Sequence, residues 1–198
     1  MTLPAGLYGI ADASFGDPVA IGNALIRAEC PIIQLRAKGW PTTQIERAAA
    51  QLLGPARQAG IKLIINDHVD VALSVGADGV HLGQEDGCTE AARARLGPTA
   101  LIGMSTHNMK QVLAATHADY IGFGPIFATS TKAKAGEGVG VDSLAKVVQM
   151  SPVPVVAIGG ITRFNLHHVR ETGAHSWAVI RDLIGLEPIG EAIQHLAF

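Results

Sequence analysis

The sequence predicts a single (β/α)8 TIM barrel, an α/β fold in which eight parallel strands alternate with helices around a closed sheet. Three observations carry that expectation. Short apolar runs of strand length recur eight times, stretches with helical spacing separate them, and the first run leads into no Gly-x-Gly-x-x-Gly loop of the kind an open dinucleotide-binding sheet requires. The length agrees, because 198 residues accommodate eight βα units with little left for insertions. One domain over residues 1–198 is expected.

The strand-length runs are Leu7 to Ile10, Ile32 to Leu35, Leu63 to Ile65, Gly79 to Leu82, Leu101 to Met104, Tyr120 to Phe123, Val153 to Ile158 and Ser176 to Ile180. Between the second and third, Ile45, Ala48, Ala49, Leu52, Leu53 and Ala56 make one apolar stripe on a period near 3.6; after the third, Val69, Ala72, Leu73 and Gly76 suggest a shorter one. Three strands start from the same device. Gly76-Ala77-Asp78-Gly79, His117-Ala118-Asp119-Tyr120 and Gly173-Ala174-His175-Ser176 each read as a helix end followed by a tight turn into a strand.

Composition removes several functional classes. The 15 Lys and Arg against 17 Asp and Glu give a net charge of −2 with the cations scattered, so no nucleic-acid partner is expected. With 48% hydrophobic and 16% charged residues the chain has the content of a packed globule. Cys30 and Cys88 lie outside any metal-ligand spacing and read as free thiols. No apolar run approaches the roughly 18 residues of a membrane span, and Met1 to Gly6 lacks a basic region followed by an apolar core. A cytoplasmic enzyme with small-molecule partners and no membrane partner is expected, and a homo-oligomer is left open.

In such a barrel the chemistry sits at the carboxyl ends of the strands, and those positions are polar here. The second strand ends Gln34-Leu35-Arg36-Ala37-Lys38, and alternation puts Gln34, Arg36 and Lys38 on one side, two cations suited to phosphate. The alternative for Arg36 is a pair with a strand-end carboxylate. The third strand ends at Asn66-Asp67 and the fourth runs into Gln84-Glu85-Asp86, so Asp67 and Asp86 can meet at one rim and hold Mg2+ together with phosphate oxygens and water. As alternatives, each could cap a following helix. The fifth strand delivers Ser105, Thr106 and His107, either hydroxyl a possible helix cap and the imidazole a possible acid or base. After the sixth, Thr129-Ser130-Thr131-Lys132 precedes a glycine-bearing stretch suited to a lid over phosphate, with Lys134 read as solvated. The ends of the seventh and eighth strands, Gly159-Gly160 and Ile180-Arg181, read as a second anion site, the alternative for the glycines being only a tight turn.

Those same stretches resemble the thiamine phosphate synthase family, from Leu7 to about Ile184. The most specific blocks are Gln34 to Lys38, Ile65-Asn66-Asp67, Gly79 to Asp86, Gly103 to His107, Asp119 to Phe127 with Thr129 to Lys132, and Ala157 to Ile161. The resemblance implies transfer of a pyrimidine CH2 group from its diphosphate to the nitrogen of a thiazole phosphate, with pyrophosphate released. It further implies that Gln34, Arg36, Lys38, Asn66, Ser105 and Lys132 hold the pyrimidine diphosphate, that Asp67 and Asp86 coordinate Mg2+, and that Thr129, Ser130, Thr131, Gly160 and the Ile180-Arg181 backbone hold the thiazole phosphate. Arg36, Lys38, Lys132 and Ser105 are expected to assist catalysis.

Three departures stand out. Ala37 replaces a frequent acidic residue at a position that should face away from the barrel interior, His175 replaces a frequent aspartate in a turn, and Arg181 stands where the family commonly has serine. Thiazole tautomerases share the barrel and a fifth-strand histidine, so a tautomerase using His107 is the rival enzyme. A non-catalytic sensor of thiamine precursors is the rival from another class.

Overall fold

A computed structural model describes residues 2–129, 137–184 and 196. Eight parallel strands close into a barrel: β1 (Gly6–Asp12), β2 (Ile32–Arg36), β3 (Lys62–Asn66), β4 (Gly79–Leu82), β5 (Leu101–Thr106), β6 (Tyr120–Phe123), β7 (Val155–Ile158) and β8 (Ser176–Val179). Each strand pairs with its neighbour in sequence, and β8 returns to β1 with Gly6 opposite Ser176 and Tyr8 opposite Ala178. The helices are α1 (Pro18–Arg27), α2 (Thr42–Gln58), α3 (Val69–Val75), α4 (Thr89–Leu96), α5 (Met109–Ala114), α6 (Val141–Met150), α7 (Leu166–Glu171) and α8 (Arg181–Ile184).

Period-two alternation divides the core in two. Inside the barrel lie Tyr8, Ile10, Ile32, Ile64, Leu101, Tyr120, Val156 and Ala178, while the opposite strand faces join the helices in the larger outer layer. Ala37 is buried in that outer layer, as its phase predicts. The stripe read for α2 is buried throughout. For α3 the face is set differently. Val71 and Ala72 are buried and Val75 packs against the same core, whereas Leu73 stands 49% exposed because the helical rotation of about 100° per residue turns it away from that face.

Several strand limits also differ from the sequence reading, by one or two residues. β7 begins at Val155 rather than Val153, since Pro154 has no N–H to donate to a ladder. β1 extends beyond Ile10 to Asp12, and this brings a carboxylate to the barrel mouth. Cys30 and Cys88 are both free thiols, Cys30 buried and pushed up to about 12 by that burial. Among the described residues, no helix is long and apolar enough to cross a membrane.

Candidate functional site

The barrel is stoppered by side chains below and open above, where a cavity of about 890 Å3 lies at the carboxyl ends of the strands. Its wall includes Gln34, Arg36, Lys38, Asn66, Asp86, Ser105, His107, Thr129, Gly160, Ile180 and Arg181, so residues expected at both phosphate sites line one continuous space. Ser130, Thr131, Lys132 and Lys134 lie outside the described residues.

At the end of β2, Gln34 is buried and Arg36 largely so, whereas the Lys38 side chain is 58% exposed beyond the strand. Arg36 Nη1 donates to Asp12 Oδ2, so the alternative of a strand-end ion pair is realised while Arg36 still lines the cavity. Asp12 is itself fixed. Its Oδ1 accepts from Ser14 N at 2.9 Å and Ser14 Oγ at 2.7 Å, which orients the carboxylate and through it the guanidinium.

Asp67 adopts a left-handed backbone with φ 64°, unusual for a residue with a side chain, and its N–H donates to His81 O at 2.9 Å. It does not cap α3, whose N-cap is His68 without a side-chain bond. Its carboxylate instead meets Lys38 Nζ at 3.3 Å and interacts with Asp86. Burial raises the Asp67 pKa first, Asp86 raises it further, and Lys38 opposes both. Asp86 does not cap α4 either; its Oδ2 accepts from Gly83 N at 2.9 Å inside its own turn. Two carboxylates held close at the rim of the barrel mouth have the donor chemistry of a hard divalent cation, which takes few protein oxygens and completes its shell with other oxygen ligands. Among the described residues no group of three or more His, Cys, Asp or Glu is arranged to hold a metal. A cation held by this pair would need further oxygen ligands from outside the chain.

The other side chains expected from β5 are not helix caps. Asn108 caps α5 by accepting from Gln111 N, Thr106 Oγ1 donates to Gly122 O at 3.1 Å, and Ser105 Oγ lies 2.9 Å from His81 Nε2. His107 Nδ1 donates to Gly124 O at 2.6 Å, so its Nε2 is the nitrogen left for chemistry. The cavity floor holds a hydrogen-bonded set that sequence reading missed: Gln34 Nε2 to Tyr8 OH at 3.0 Å, Tyr8 OH to Tyr120 OH at 2.9 Å, and Tyr120 OH to His81 Nδ1 at 3.2 Å. Gly103 makes room for it, since a Cβ there would overlap both the Tyr120 ring and His81. Alternation alone could have flagged Tyr8, Asp12 and His81 as inward-facing.

On the far side, Gly160 has φ +66°, and a Cβ there would press on the backbone of Phe127 and Ala128. Both the close approach and the left-handed conformation need glycine, so the alternative of a tight turn also holds. Asn165 Nδ2 secures Gly160 O at 2.9 Å. Arg181 lines the cavity with its guanidinium 5.8 Å from the Phe15 ring centroid. Of the two acidic residues toward which Arg181 could turn outward, Asp182 is engaged by Arg163 through Nη2 at 3.0 Å and Nε at 3.2 Å, and Glu187 lies outside the described residues. His175 Nε2 donates to Leu3 O at 3.0 Å, so it ties the N-terminal segment to its turn.

A closed parallel barrel with a cationic, carboxylate-bearing mouth defines an enzyme of the (β/α)8 class. The chain belongs to the thiamine monophosphate synthase family, whose sequence model matches residues 7–183. It is 40% identical over 195 residues to the thiamine-phosphate synthase of Chloroflexus aurantiacus, covering 96% of this chain and 90% of that one. The thiamine-phosphate synthase of Pelotomaculum thermopropionicum is 40% identical over 199 residues, covering 98% and 91%. Among solved structures, the thiamine phosphate pyrophosphorylase of Pyrococcus furiosus superposes with a TM-score of 0.89 at 34% identity over 97% of this chain and 93% of its own.

Proposed function

We propose that the chain is a thiamine phosphate synthase that condenses 4-amino-2-methyl-5-hydroxymethylpyrimidine diphosphate with 4-methyl-5-(2-phosphoethyl)thiazole, or its carboxylated tautomer, to thiamine phosphate and pyrophosphate. The observation that carries the reading is the interaction of the Asp67 carboxylate with Asp86 and Lys38, both of which line the cavity together with Arg36. A diphosphate with its cation answers both charges, whereas isomerising a thiazole phosphate through His107 has no use for such a rim. The same point weighs against a sensor without catalysis.

The bond to break is C–O at the pyrimidine CH2, and the electrons leave with pyrophosphate. An electron-rich aminopyrimidine stabilises the resulting cation, and the thiazole nitrogen then supplies the lone pair for the new C–N bond. No general base is required. Arg36 and Lys38 face the departing charge, Ser105 donates a hydrogen bond to it, and Lys132 is assigned the same duty from the sequence. Mg2+, held by Asp67 and Asp86, would supply further neutralisation of pyrophosphate. Gln34 and Asn66 orient the pyrimidine, while Thr129, Ser130, Thr131, Gly160, Ile180 and Arg181 cradle the thiazole phosphate. A single barrel domain over residues 1–198, a cytoplasmic location and small-molecule partners, with room for assembly into a homo-oligomer, belong to the same reading. Incubation with both substrates and Mg2+ should yield thiamine phosphate and pyrophosphate in equal amounts; no product from the pair, with turnover of the carboxythiazole phosphate alone, would transfer the assignment to a tautomerase.

A further inference from the structure

The floor of the cavity carries five polar side chains from five sequence regions in one unbroken line: Gln34, Tyr8, Tyr120, His81 and Ser105. We propose that this line is a directional hydrogen-bond relay, polarised from Gln34, which fixes His81 in its Nε2-protonated form and thereby turns the Ser105 hydroxyl hydrogen toward an anion in the cavity. Tyr8, Tyr120 and His81 are thus positioning residues for Ser105. The inference rests on the function proposed above only in taking that anion to be the diphosphate.

The polarity follows from counting hydrogens. Gln34 Nε2 donates to the Tyr8 oxygen at 3.0 Å, and the hydroxyl's other partner is Tyr120 at 2.9 Å. Tyr8 is 2% exposed, so a hydrogen without an acceptor would be costly, and Tyr120 is the acceptor at hand. Tyr120 then has one hydrogen and one remaining partner, His81 Nδ1 at 3.2 Å, which must be unprotonated to accept it. A neutral ring keeps its proton on Nε2, which donates to Ser105 Oγ at 2.9 Å. One Ser105 lone pair is thereby occupied and its hydrogen is released for a different acceptor. Burial holds both phenols well above their ordinary value, so each remains a donor at any working pH.

The opposite polarity would serve the reaction badly. Ser105 would then donate to His81 and present only lone pairs to a negatively charged leaving group. Successive bonds in a buried chain also reinforce one another, which makes the last donor stronger. The barrel register makes the line possible: Gly103 stands between His81 on β4 and Tyr120 on β6, pairs with both, and contributes no side chain to block them.

The test starts with nitrogen NMR of the substrate-free protein labelled at histidine, the His81 signal being assigned by its loss in His81→Asn. A neutral Nε2–H ring is expected; an Nδ1–H or doubly protonated ring overturns the proposal, without recourse to any further variant. In Tyr120→Phe the single tautomer should be lost and kcat should fall about tenfold, the size of one neutral hydrogen bond expressed as a rate, with KM for the thiazole phosphate unchanged. A fall in kcat with the tautomer intact would mean that only packing was disturbed, and a changed tautomer with unaltered kcat would mean that the relay does not position Ser105; either defeats the proposal. Absence of turnover in the unmodified protein would instead defeat the functional reading, while the tautomer still decides whether the relay is polarised from Gln34.

Discussion

At Asp67 the chain places a partly buried carboxylate in an unusual left-handed backbone against Asp86, with Lys38 offsetting the repulsion. Strain and like charge at one residue make sense at a cation site. Asp67→Asn and Asp86→Asn should each weaken Mg2+ affinity about 10- to 100-fold and lower the rate in parallel, measured by calorimetric titration and by pyrophosphate release. Unchanged affinity in both would remove the metal assignment. Across the cavity, Arg181 is the position where the sequence departs most from its family, and its acidic neighbour Asp182 is already held by Arg163. Arg181→Ser should raise the thiazole phosphate dissociation constant roughly tenfold by deleting one charge-assisted contact, and leave that of the pyrimidine diphosphate unchanged. Equal or tighter thiazole phosphate binding would mean that backbone groups alone hold that phosphate.

At the scale of elements, β4, β5 and β6 form the section of barrel wall whose inward residues alternate between functional and minimal. His81, Gly103 and Tyr120 are register neighbours, and the glycine yields its interior volume to the two rings, whose centroids lie 5.5 Å apart. Gly103→Ala should therefore destabilise the fold by about 1–3 kcal/mol, because a methyl group there would overlap the Tyr120 ring and His81 and force both out of their hydrogen-bonded positions. Urea unfolding would read this; an unaltered midpoint would show that the two rings shift without cost. The sequence made these strands visible through apolar run length, yet it gave no reason to link Tyr8 with Tyr120. They are 112 positions apart, and only closure of the barrel sets them 2.9 Å from one another.

For the whole molecule, the Asp67 carboxyl, whose pKa is raised first by burial and then by Asp86, couples folding to pH and to metal. The folded chain binds the Asp67 proton more tightly than the unfolded chain, so from the ordinary value of 3.8 upward to the raised one the native state carries the excess proton. Stability contributed by Asp67 must then fall as pH rises through that window. Wild type in chelator should lose stability relative to Asp67→Asn over this range, and Mg2+ should restore it in wild type, since an ion that binds only the folded state stabilises it. A difference between the two proteins that is independent of pH would show that Asp67 titrates as it does when unfolded.

The sequence by itself determined the barrel, because apolar runs of strand length separated by 3.6-period stripes are local patterns that survive without knowledge of contacts. It also placed Gln34, Arg36, Lys38, Asn66, Asp67, Asp86, Ser105 and Gly160 at strand ends, where alternation and barrel geometry bring side chains to a common mouth. Tertiary structure decided what each of them touches. That Arg36 is held by Asp12, that Asp67 meets Lys38 and Asp86 rather than capping a helix, and that Ser105 terminates a line beginning at Gln34 all depend on register between strands distant in the chain. Closing the sheet converts eight local alternations into one shared interior, and a hydrogen bond across that interior is fixed by shear and strand order, quantities that no short stretch of sequence contains.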